Sequence, residues 1–197
     1  CIIVYGYVEY KMTDKDYRLE KDSMGELKVP GEKHWGAQTQ RAIENFKISN
    51  IKMPSEFIQS LALLKWALSA ANSELGLLSS DKSEAIGRIA LEISEGNHHD
   101  EFPVDVFQTG SGTSTNMNMN EVIAHLSSSD DIPIHPNDDV NMGQSSNDVI
   151  PSAINVAASV LIKSSLLGSL SHLQKTLEEK ASSLSDVVKT GRTHLMD

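Results

Sequence analysis

The segment from Ser145 to Asp186, "SSNDVIPSAINVAASVLIKSSLLGSLSHLQKTLEEKASSLSD", limits the fold more than any other part of the chain. Ile162, Leu166, Leu170, Leu173, Leu177, Ala181 and Leu184 recur at steps of three and four residues, the spacing of one side of an α-helix. The pattern predicts a helix far longer than a small globular domain needs. Pro151 is compatible with it only in the first turns or at a kink, and Gly168 weakens its middle slightly. A rod of that length suits a bundle of long helices, often an intermolecular one.

Upstream, the same periodicity appears in shorter pieces. Pro54 opens a helix in which Phe57, Leu61, Leu64, Leu68 and Ala71 share a side, ending near Gly76. A second helix is read from "SSDKSEAIGRIALEI", capped by Ser80 or Asp81 and stopped by Gly96 and Pro103 in "EGNHHDEFP". A third begins inside "QTGSGTSTNMNMNEV", residues 108–122, and runs to about Ser127. The following "SSSDDIPIHPNDDVN" carries Pro133 and Pro136 three residues apart and reads as non-helical. At the other end, "YRLEKDSMGELKVP" alternates weakly around Gly25 and Pro30, which predicts a small hairpin or extended arm. The fold class is mainly α: a small helical domain with a short β-hairpin or arm, then the first long helix of a central helical bundle. Residues 12–143 are assigned to the first part and 144–197 to the start of the second, which reads as truncated at Asp197. Residues 1–11 read as a non-native or disordered extension.

Composition narrows the function classes. A formal net charge of −10 with no basic cluster argues against nucleic acid or an anionic membrane as partner. The one cysteine, Cys1, excludes an intrachain disulfide and fits a reducing compartment, so the expected location is cytoplasmic. "CIIVYGYVEYK" is apolar but short, without a basic start or a small-residue cleavage site, and no later segment is read as approaching a membrane span.

Hydroxyl and amide groups concentrate in three places: "TGSGTSTN" at 109–116, "HPNDDVNMGQSSND" at 135–148 and "TGRTH" at 190–194. Each adjoins a helix or turn. A helix starting at Thr113 aligns Thr113, Asn116 and Asn120 in a row beside the apolar Met119, Val122, Ile123 and Leu126. Gly110 and Gly112 allow close backbone approach, and first-turn N–H groups favour an anion. A single cluster of this kind is most simply a helix cap, and "HPND" alone is a turn. Three together point to a polar ligand. "HHDE" at 98–101 contains metal-ligand types, but no spaced ligand set accompanies it, so no metal is assigned. No phosphate-binding loop, dinucleotide fingerprint, cysteine zinc site or nucleophile elbow is present, and no cofactor is expected.

In that order, "GSGTSTNMNMNEVIA", "HPNDDVNMGQSSNDVIPSA" and "GRTHL", together with "EKDSMGELKVPGEKHWGAQTQRAIENF", resemble class II fumarase of the fumarase/aspartase superfamily. The likeness covers about residues 17–197. It implies a homotetramer with a central bundle and active sites shared between subunits. The implied reaction is the metal-free, reversible hydration of fumarate to L-malate, a step of the tricarboxylic acid cycle. By that resemblance Ser111, Gly112, Thr113, Ser145, Ser146, Asn147 and Thr193 bind the dicarboxylate, and His194 is the catalytic proton donor or acceptor acting through water. His135, Pro136, Asn137 and Asp138 match a second, non-catalytic dicarboxylate site. Aspartase shares the scaffold but carries "GRTQ" and "QSTND" where this chain has "GRTH" and "QSSND", and an imidazole titrates near neutral pH whereas an amide does not. Two departures stand out. The linker "SSSDDIPI" is short and acidic where many relatives are basic, and the loop "GSSxMPxKxNP", which supplies a base and a lysine, lies beyond Asp197. The other alternative is a helical fragment that only associates.

Overall fold

The computed structural model describes residues 17–189 and 191. Residues 1–11, Thr193 and His194 therefore lie outside the described residues. Strands β1 (Tyr17–Asp22) and β2 (Gly25–Pro30) form the expected hairpin, antiparallel from Tyr17↔Pro30 to Asp22↔Gly25. Its connection is the two residues Ser23 and Met24, and Gly25 takes a φ of 119° that a side chain would resist. Two arginines hold the hairpin down. Arg18 donates to the carbonyls of Pro30, Lys33 and Trp35, and Arg41 makes a fork on Asp22 at 2.7 and 3.1 Å.

Helix α1 (Ala37–Asn45) was not singled out by periodicity; its "GAQTQRA" start has no hydroxyl cap and no acidic first turn. Helices α2 (Ser55–Glu74), α3 (Ser80–Ser94) and α4 (Thr113–Ser127) match the three short helices read from sequence. The cap of α3 is Ser79, one residue before the expected Ser80 or Asp81, and its side chain makes no cap bond. Leu61, Ile86, Ile93, Met119, Val122 and Ile123 of these helices form the dry centre. Burying each such side chain contributes roughly 1.5–3 kcal/mol.

The segment around "HPNDD" departs from the expectation. Residues Pro136–Val140 form one π-helical turn, with Val140 N–H donating to His135 O and Asn141 N–H to Pro136 O. Pro136 is tolerated because it stands at the first position, where an N–H would lack an intrahelical acceptor. Its closure is polar: Asp139 Oδ2 accepts from His135 N–H at 2.8 Å, and Lys82 pairs with Asp139 at 2.8 and 2.9 Å.

Helix α5 (Ser146–Leu161), a π-helical stretch Ile162–Leu166 and α6 (Leu167–Ser183) follow without interruption. The long helix is thus observed, with Pro151 in its second turn. The chain divides into two units between Ala157 and Ala158. Val149, Ile150, Ala153 and Ala157 of α5 are buried in the first unit. In the second, Leu170, Leu173 and Leu177 of α6 are exposed. The 38-residue helix Ser146–Ser183 is long and apolar enough to cross a membrane by length and composition, with mean hydropathy 1.5 over its best 18 residues. This corrects the expectation that no later segment approaches a span. Counting one side at steps of three and four leaves out Val156, Ala157, Val160 and Leu161, which raise the mean without belonging to the stripe. Helices of a packed bundle share this property.

Candidate functional site

Two of the three polar clusters meet in the first unit. Gly112 (φ 70°, ψ 17°) precedes α4, and a Cβ there would sit 3.0–3.2 Å from Ile150 of α5, so glycine is what lets the two segments pack. One turn further along, Asn116 Nδ2 donates to Ser146 Oγ at 3.0 Å. Ser111–Thr113 and Ser145–Asn147 therefore stand on adjoining helix starts. Ser111, Ser145 and Asn147 are exposed, Thr113 and Ser146 half-buried, and Gly112 buried. Ser111 Oγ and Thr113 Oγ1 lie 2.8 Å apart, a hydroxyl pair with a proton left to give. Ser145 caps α5, accepting from Asn147 N–H on its hydroxyl and from Asp148 and Val149 N–H on its carbonyl.

The row Thr113, Asn116, Asn120 is not an open wall. Asn116 and Asn120 are 1% and 0% exposed, and among the described residues Asn120 Nδ2 reaches only Met117 Sδ, at 3.5 Å. The start of α4 is also less available to an anion than its sequence suggests. Thr109 Oγ1 accepts from Ser114 N–H at 3.3 Å, and Gln108 Oε1 from Thr115 N–H at 2.9 Å. Capping comes from residues ahead of the glycines, which leaves the exposed hydroxyls, rather than the helix dipole, to meet a ligand.

Beneath the junction lies a residue that sequence reading passed over. Lys65 of α2 is fully buried among the apolar residues of its helix, and its Nζ donates to Gln144 Oε1 (2.7 Å) and Asn141 Oδ1 (3.1 Å). Asn141 Oδ1 also accepts from Asn116 Nδ2 at 3.1 Å. Its one signal in sequence was a cation inside an otherwise apolar helix face. Burial pushes the Lys65 ammonium from the ordinary 10.5 down to about 7. Between those values the unfolded chain binds a proton that the folded chain has shed, so this group makes stability rise with pH from about 7 to 10.5. The gain is lost again as pH falls from 10.5 to about 7, below which both states bind the proton and this group adds no further dependence. Denaturant unfolding should show the parent chain gaining about 2 kcal/mol relative to Lys65→Met between roughly pH 7 and pH 9.

The "HPND" cluster lies at the rim of two clefts. One, of about 680 Å³, is lined among others by Arg18, His34, His125, His135, Pro136 and Asn137. The other, of about 450 Å³, includes Lys82, His135 and Asp138. His135 Nδ1 accepts from Asp138 N–H at 3.1 Å, which requires the ring nitrogen unprotonated. Asp138 itself is 82% exposed at its side chain and puts a negative charge beside any anion there, while Asp139 consumes the charge of Lys82. In the "HHDE" segment, Asp100 pairs with Lys33 at 2.7 Å and Glu101 accepts from His34 N–H at 2.7 Å. Among the described residues, no group of three or more His, Cys, Asp or Glu side chains is arranged to hold a metal ion.

With this arrangement in hand, the comparison with known proteins is decisive. A family model described as lyase matches residues 25–197. The chain belongs to the lyase family. The chain is 54% identical over 192 residues to the class II fumarate hydratase of Xylella fastidiosa, covering 96% of this chain and 41% of that protein. It is 50% identical over 188 residues to the class II fumarate hydratase of Bacillus subtilis, covering 92% and 41%. Among solved structures it is similar to the class II fumarase of Schistosoma mansoni, with a TM-score of 0.86, 41% identity and coverage of 92% of this chain and 40% of that chain. The chain spans about two fifths of the length of the curated relatives it matches.

Proposed function

We propose that this chain supplies two of the substrate-binding segments of a fumarate hydratase that catalyses reversible hydration of fumarate to L-malate in a protein of its relatives' full length. The observation that carries the reading is the Asn116 to Ser146 hydrogen bond, because it joins the two hydroxyl-rich segments in one packed unit. In this reading Ser111, Thr113, Ser145, Ser146 and Asn147 donate hydrogen bonds to substrate carboxylates, and Thr193 and His194 complete the set. In the direction from malate to fumarate, a base takes the proton at carbon 3, the resulting charge is held on the adjoining carboxylate, and hydroxide leaves as water with a proton delivered through His194. No metal or cofactor is needed for this step. The second dicarboxylate site at His135–Asp138 belongs to the same reading, with Asp138 opposing the anion and so weakening it.

The exposed stripe of Ile162, Leu166, Leu170, Leu173 and Leu177 supports assembly through the long helices, and we assign the protein to a homotetramer with shared active sites in the cytoplasm. The test is loss of fumarate and appearance of malate with the full-length protein. Ammonia release from aspartate without malate formation would favour an aspartase instead. The 197-residue chain alone is expected to show no turnover, and turnover near that of the longer protein would reject that incompleteness.

A further inference from the structure

Among the described residues, no carboxylate pairs with the buried amine of Lys65. The groups on its Nζ are two amide oxygens, Asn141 Oδ1 and Gln144 Oε1, and the residue is fully buried. Such a group is costly to bury, and replacing it by an apolar side chain would favour folding unless its hydrogen bonds matter. What they do follows from the fact that Nζ carries at least two N–H donors, charged or neutral, and directs them to two amide oxygens. Asn141 and Gln144 must both turn their oxygens toward Nζ. With its oxygen committed, Asn141 can only accept from Asn116, so the Asn116 amide presents its NH2 group to both Asn141 Oδ1 and Ser146 Oγ. The Oδ1 of Asn116 is left buried with no partner among the described residues, a cost of this orientation. Ser146 Oγ is then an acceptor from the protein, and its own proton has no acceptor among the described residues.

The other Gln144 and Asn141 contacts lock the same loop. Gln144 Nε2 donates to Val140 O at 2.8 Å, and Asn141 Nδ2 to Gln144 O at 3.3 Å. Both amides are therefore used at both ends, and neither can flip without losing bonds at each.

We propose that Lys65 is a positioning residue that fixes the donor sense of the chain Lys65, Asn141, Asn116 and Ser146, so that the Ser146 hydroxyl is held as a donor toward a substrate carboxylate. The proposal rests on the reading of Ser146 as a carboxylate-binding group. Lys65 touches no substrate; it acts by setting which atom of Ser146 is free.

Two substitutions separate this role from packing. Lys65→Met keeps length and apolar contact but offers no donor, whereas Lys65→Gln is shorter yet still presents an N–H. In the full-length protein Lys65→Met should raise KM for fumarate about tenfold or more with kcat changed less than about threefold, since a carboxylate donor acts alike on ground and transition states. Lys65→Gln should stay within about threefold in KM. A packing role predicts the reverse order, and Met at parent KM overturns the proposal. Should Lys65→Met not fold, Asn116→Leu removes the same donor to Ser146 from the far end and should raise KM alike; an unchanged KM there also overturns it. A parent protein that hydrates no fumarate would instead remove the functional reading. In that case side-chain amide exchange of Asn116 and Asn141 in the 197-residue chain still decides the relay. Protection lost in Lys65→Met and kept in Lys65→Gln supports it, and equal protection in both rejects it.

Discussion

Glu121→Ala should lower the unfolding free energy by about 3–5 kcal/mol, the largest single loss expected outside the apolar core. Glu121 projects from α4, 7% exposed, onto the start of α1. Its carboxylate accepts from the N–H groups of Gly36 (2.9 Å), Gln38 (2.9 Å) and Thr39 (3.0 Å) and from the Thr39 hydroxyl (2.5 Å). Helix α1 has no side-chain cap of its own, so the neighbouring helix supplies the acceptor and the negative charge that its first turn lacks. Truncation leaves four donors without their acceptor. Gly36 belongs to the same arrangement, because a Cβ there would lie 2.8 Å from Glu121 Oε1. Chemical denaturation of Glu121→Ala beside Glu121→Gln checks this. The glutamine keeps an acceptor and should lose less; equal, small losses below about 1 kcal/mol would exclude the cap as a main support of α1.

The largest effect on activity is expected at His194. In the full-length protein, His194→Asn should reduce the fumarate hydration rate about a hundredfold or more. The amide can hydrogen-bond in place of the ring but has no titration near neutral pH, so water is still held while the proton can no longer be exchanged with it. Steady-state kinetics with fumarate and with malate should show the loss in both directions, because one group serves both. A rate within a few-fold of the parent would take His194 out of the mechanism proposed above.

How far such features were legible varied with the kind of interaction. Phe57, Leu61, Leu64 and Leu68 announced α2 because a helix repeats every 3.6 residues whatever it packs against. Met119, Val122 and Ile123 announced the buried side of α4 for the same reason. Helix α1 was missed because the group that caps it comes from a residue 85 positions away from Gly36. The turn at Pro136–Val140 was missed because proline was taken as a breaker, whereas its place at the first position and the Asp139 carboxylate on His135 N–H make it an initiator. Asn120 was placed in a polar row with Thr113 and Asn116 from its angular position. Angle around a helix says which residues share a side, but not whether another helix covers that side.

The candidate site divides in the same manner. The clusters at 109–116 and 135–148 could be picked out from composition, and the resemblance to class II fumarase then pointed to Ser111, Thr113, Ser145, Ser146 and Asn147 within them. That the first group meets the second was settled by Gly112 packing on Ile150 and by Asn116 on Ser146.

Sequence alone determined the helical repeat, the long rod, the hairpin and the ordered polar motifs, all of which depend on residues close to one another in the chain. Tertiary structure decided the partners of Lys65 and Glu121, 76 and 85 residues away at Asn141 and Gly36. A buried charge is tolerable only where packing brings fixed acceptors or donors to it, and chain order does not contain that geometry.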